Sequence, residues 1–124
     1  MPPLPPAGGR AGAQFVIGDR FGAACHGALV ATGFACLARA GRTAAHNRPY
    51  AGGYVLERHA APRRGVYAMQ IEVDRSAYLD ARLTEPGPGF AAMVEVLVDL
   101  VRQLAQEVSA LGAAAGGQWA VAAE

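Results

Sequence analysis

A chain of 124 residues has room for one domain built on one modest core. With 52% hydrophobic and 17% charged residues it has a globular composition, which excludes a disordered chain. A net charge of +1 lacks the basic excess expected of a protein that binds nucleic acid or a membrane surface.

All 11 basic residues are arginine, so Schiff-base chemistry on a lysine is excluded. The two cysteines, Cys25 and Cys36, would stand about 16 Å apart along a shared helix. A disulfide needs α-carbons within about 7 Å, so free thiols are expected, in keeping with a cytoplasmic protein. No apolar run is long and clean enough to span a bilayer. The opening MPPLPPAGG lacks the charged and apolar regions of a signal peptide; residues 1–13 read as an extended Pro/Gly-rich lead-in.

The run QFVIG (Gln14 to Gly18) reads as a buried strand closed by Gly18-Asp19-Arg20. From Ala23 to Ala40, Leu29, Val30, Gly33, Phe34 and Leu37 fall at helical spacing. The small residues among them give a face able to lie close on a sheet. Gly41 ends this helix, and Arg42 to Asn47 can form an edge strand. The glycines and proline of NRPYAGGY (Asn47 to Tyr54) predict a shaped loop, and RHAAPRRG (Arg58 to Gly65) a polar connection.

VYAMQIEV (Val66 to Val73) reads as a second strand, covered on both faces, with Glu72 and Asp74 where the chain leaves the sheet. TEPGPG (Thr84 to Gly89) is a turn that can start a helix. From Phe90 to Leu111 the residues Phe90, Val94, Leu97, Val101, Leu104, Val108 and Leu111 recur at four- and three-residue steps. They predict a helix packed on a sheet rather than a coiled coil, with Glu95, Asp99, Arg102, Gln103 and Glu107 on its other side. Residues 14–111 then form the folded part and 112–124 a flexible tail. Alternating strands and helices predict an α/β layer, part of a mixed sheet flanked by helices.

Several residues could carry chemistry. Glu72 follows an apolar strand and suits a general base; it could equally be a surface partner of Arg75. Asn47, Tyr50 and Tyr54 offer polar groups, while Gly52 and Gly53 allow close backbone approach to a ligand. Arg48 and Arg75 could hold a carboxylate through a bidentate fork, or make surface ion pairs. Asp19, beside Arg20, could orient a ligand or cap the following helix. His46, His59 and Glu72 can be combined on paper as a three-ligand zinc site, but their spacing forms no metal motif. His26 reads as an ordinary helix histidine. No phosphate-binding spacing occurs.

Three segments in order, VIGDRFG (Val16 to Gly22), NRPYAGGY and RGVYAMQIEVDRSAYLD (Arg64 to Asp80), resemble the C-terminal half of the N-formylglutamate amidohydrolase family. The resemblance implies a fold like that of zinc carboxypeptidases: a mixed sheet sandwiched by helices. It implies hydrolysis of N-formyl-L-glutamate to formate and glutamate in histidine degradation, with one zinc ion activating a water. Glu72 maps to the glutamate that takes the water's proton. Asn47, Arg48, Tyr50, Gly52, Gly53 and Arg75 map to the region that holds the substrate. Family members are about twice this long, and their zinc ligands lie mostly in the other half. One belongs to an Asp-x-His-Ser segment that runs into a stretch like Met1-Pro2-Pro3-Leu4. The metal ligands are therefore expected upstream of Met1, and this chain alone is expected to be inactive. Tyr67 stands where the family pattern suggests a histidine. The alternative is a non-catalytic half-domain that binds a small ligand or self-associates through uncovered sheet surface.

Overall fold

In a computed structural model, residues 1–122 are described, and QFVIG supplies the central strand. This strand, β1 (Phe15–Gly18), is buried along its whole length. The chain then passes through a tight loop into helix α1 (Gly27–Arg39), strand β2 (Ala44–His46) and helix α2 (Tyr54–His59). Strand β3 (Gln70–Val73) and helix α3 (Phe90–Ala122) complete the order, with 3₁₀ turns at Pro62–Arg64 and Arg75–Ala77.

The sheet runs β2-β1-β3, with β2 parallel and β3 antiparallel to β1. Strand side chains alternate between faces. Phe15 and Ile17, with their register partners Val73 and Ile71, therefore share one face. They join Leu29, Val30 and Leu37 of α1 and Met93 of α3 in the core, so both long helices cover the same side of the sheet. Gly33 allows the close approach expected of α1: a β-carbon there would stand 3.2 Å from Ile17 Cδ1.

The mixed sheet flanked by helices agrees with the sequence reading. Four details differ. β3 is an edge strand, not a central one, and only Gln70–Val73 of the expected run are strand, because β1 offers four residues to pair with. The RHAAPRRG connection contains the end of α2 and a 3₁₀ turn. Helix α1 begins at Gly27, four residues later than expected, because His26 caps it: its Nδ1 accepts the Ala28 N–H at 3.0 Å. Asp19 does not cap that helix.

Helix α3 also differs, in length and rotation. It continues past Leu111 to Ala122; residues 123 and 124 of the expected tail lie outside the described residues. Of the expected stripe, Leu97, Leu104 and Leu111 pack on the core, joined by Met93 and Val96, and Leu100 is buried. Phe90, Val94, Val101 and Val108 are exposed. The helix has two adjoining apolar faces, and a single-stripe reading merges them.

Candidate functional site

Parallel strands β1 and β2 end side by side, at Gly18 and His46. The residues that follow, Asp19 and Asn47, therefore meet beyond the carboxyl ends of two neighbouring strands, where open α/β sheets form their crevices. Both are buried, at 3% and 4% exposure. Asn47 Nδ2 donates to Asp19 Oδ1 at 2.7 Å, and Asn47 Oδ1 accepts the Asp19 backbone N–H at 2.9 Å. His46 Nε2 lies 3.0 Å from the same Asp19 oxygen. Burial alone would raise the Asp19 carboxyl's proton affinity. The bonds from Asn47 and the Gly22 N–H, with the nearby His46, outweigh it and hold the pKa below the ordinary value of 3.8.

Two loops are fixed by this contact. In the first, Arg20 and Phe21 both take left-handed backbone (φ 54° each), and Asn47 opens the second at φ 59°. Non-glycine residues in this region cost about 1–2 kcal/mol each, which the surrounding bonds must offset. Arg20 N–H donates to Ala51 carbonyl at 2.8 Å, joining one loop to the other.

The second loop crosses the sheet face opposite the helices. A β-carbon at Gly18 would stand 2.7 Å from the Ala51 carbonyl carbon and 2.9 Å from Gly52 N, so the loop backbone lies directly over Gly18. Gly18 pairs with Gln70 and Val16 with Glu72, so Gln70 and Glu72 project from this same face. Gln70 Nε2 donates to Glu72 Oε1 at 2.6 Å. Gly52 has φ 95°, a conformation open to glycine, and packs against Leu56 of α2. A cleft on this side is lined by Leu4, Pro5, Phe21, Asn47, Arg48, Pro49 and Ala51. The lead-in thus takes part in the site, and Met1 hydrogen-bonds at the outer edge of β3 to Val73 and Arg75.

The candidate residues divide. Glu72, Gly52 and the loop backbone are gathered on one face. Arg48 is exposed at the cleft, Tyr50 is half-buried, and Gly53 caps α2. Arg20 lies 3.9 Å from Glu57 at the rim. The Asn47 side chain gives one N–H and its carbonyl oxygen to Asp19. Arg75 stands elsewhere: β3 is antiparallel, so its carboxyl end lies at the amino end of β1, where Asp74 N–H meets Gln14 carbonyl. For the same reason the carboxyl-end argument does not apply to Glu72; a shared face, not a shared end, joins it to the loop. Gln70 is a functional neighbour that the sequence reading did not assign, and His46, considered there only as a zinc ligand, is a partner of Asp19. Gln70 was legible, since residues i and i+2 of a strand share a face.

Among the described residues, no three His, Cys, Asp or Glu side chains come together in a way that could hold a metal ion. His46 turns to Asp19, Glu72 to Gln70, and His59 closes α2, so the trio drawn on paper is not assembled. These residues do not fit a zinc ligand set. No described helix is long and apolar enough to cross a membrane.

Fold and site together define a mixed α/β domain: a three-stranded mixed sheet with both long helices on one face and a loop-built cleft on the other. The N-formylglutamate amidohydrolase family model matches residues 1–79. The chain belongs to that family. The crystal structure of N-formylglutamate amidohydrolase from Ralstonia eutropha JMP134 is similar, at 30% identity and a TM-score of 0.69 over 83% of this chain. The match spans 36% of that protein, so this chain covers little more than a third of its length. No curated protein matches significantly.

Proposed function

We propose that the chain carries the proton-accepting and substrate-holding part of an N-formylglutamate amidohydrolase, a function it completes only with ligands from outside the described residues. The observation that carries this reading is the shared face of Glu72 and the Asn47–Gly53 loop. Gln70 donates to Glu72 Oε1, and Oε2 lies 3.8 Å from the Met1 ammonium, so the carboxylate is held ionised on the sheet face, in the form that can accept the proton of an attacking water. Arg48, exposed at the cleft, binds a substrate carboxylate, and Arg20 at the rim gives a second cation. Zinc in the complete family protein would polarise that water and the amide carbonyl. This chain alone is proposed to be inactive and not to retain the metal.

The test has two parts. Titration of the chain with N-formyl-L-glutamate should show binding that Arg48→Ala weakens about tenfold or more. A chimera with this chain in place of the matching third of the Ralstonia protein should release formate, and Glu72→Gln should slow it about 10²–10⁴-fold. Turnover unchanged by Glu72→Gln would sink the assignment. Binding with no turnover in a folded chimera would favour the alternative, a carboxylate-binding module without catalysis.

A further inference from the structure

Helix α3 carries an apolar seam separate from its core face. Val94, Val98 and Val101 are 43%, 42% and 66% exposed, and Val108 is also exposed. With Ala91 and Ala105, both exposed, they fall at 91, 94, 98, 101, 105 and 108, alternating steps of three and four. This is the spacing of a coiled-coil seam. It extends about 26 Å along the helix at 1.5 Å per residue. The core-facing residues Met93, Val96, Leu97, Leu100 and Leu104 occupy the adjoining face, and Leu97 borders the seam beside Val94, Val98 and Val101.

The flanking charges indicate what covers the seam. Glu95 and Arg102 are both exposed and each follows a seam valine, Val94 and Val101. When two copies of the helix run antiparallel, Val98 meets the other copy's Val101 and Val94 meets its Ala105. That register sets Glu95 of each copy beside Arg102 of the other, making two opposite-charge pairs by symmetry. A parallel arrangement leaves both charges facing the apolar flank of Leu97 and Leu104. The sheet edge is the weaker candidate for self-association, because Met1 already bonds to part of the outer edge of β3.

We propose that α3 is a homodimer interface, in which two copies of this chain pair antiparallel through Val94, Val98 and Val101 with Glu95–Arg102 ion pairs at its border. This goes beyond the hydrolase reading and does not depend on it. Sedimentation velocity should show a concentration-dependent dimer. Val98→Glu with Val101→Glu should leave a monomer with unchanged far-ultraviolet circular dichroism, since both side chains are largely outside the core. Glu95→Arg alone and Arg102→Glu alone should each weaken the dimer about three- to tenfold at low salt, and the double exchange should restore it. A monomer at all concentrations would overturn the proposal. So would a dimer indifferent to the valine substitutions, or charge variants that do not rescue one another.

Discussion

The Asn47 side chain bonds to Asp19 twice, donating to the carboxylate at 2.7 Å and accepting the backbone N–H at 2.9 Å. One amide thereby joins the ends of two parallel strands and sets the start of both loops. Asn47→Ala removes both bonds and leaves a buried carboxylate and a buried N–H short of partners. The expected loss is about 2–3 kcal/mol of stability, measured by urea unfolding. Asn47→Gly, which relaxes the positive φ but lacks the amide, should recover only a few tenths of that loss. Full recovery by glycine would mean the backbone conformation, not the side chain, is what Asn47 supplies.

Asp19 also links stability to pH. Its carboxyl has a folded pKa below the unfolded value, so the folded state binds the proton less well. Its contribution is fully present above the unfolded pKa and is lost as pH falls through the folded one. Chemical unfolding should therefore show stability falling as pH drops below about 4. In Asp19→Asn that acid-sensitive portion should shrink, though the variant is less stable at neutral pH. An acid limb identical in both proteins would assign the effect to other carboxylates.

Gly18→Ala tests the loop crossing. The added methyl would meet the Ala51–Gly52 backbone at under 3 Å, and a backbone cannot rotate aside as a side chain can. The expected cost is about 1–3 kcal/mol, with loss of the Asn47–Gly53 loop geometry and of N-formyl-L-glutamate binding. Gly27→Ala, with open space around the new carbon, is the control and should be neutral or slightly stabilising. Amide chemical shifts of residues 47–53 report the loop directly.

The two thiols should be inert in the folded chain. Cys25 and Cys36 are buried and unpaired, and burial pushes both pKa values up; Asp19 adds to this for Cys25 and Asp99 for Cys36. Iodoacetamide at neutral pH should modify neither thiol in folded protein and both in denaturant, as read by mass spectrometry. Fast labelling of Cys36 under native conditions would mean that α1 and α3 separate there, since its Sγ donates to Asp99 across that contact at 3.3 Å.

Much of this protein was determined by local sequence. Apolar runs marked β1, α1 and α3, because burial of a strand face or helix stripe leaves a periodic trace in the chain, and glycines marked the ends of β1 and α1 but not of α3. The motifs NRPYAGGY and QIE marked the loop and the glutamate. Tertiary structure decided the rest. The direction of β3 is not written in its four residues, yet it separates Arg75 from the loop and places Glu72 on the sheet face rather than at the strand end beside the cleft. The rotation of α3 is set by what α1 and β3 leave uncovered; its valines fit either face equally. Asp19, Asn47 and His46 are an aspartate and two distant polar residues until parallel pairing of β1 and β2 brings the strand ends together. A hydrogen bond across 28 residues of chain depends on register, and register is a property of the folded sheet.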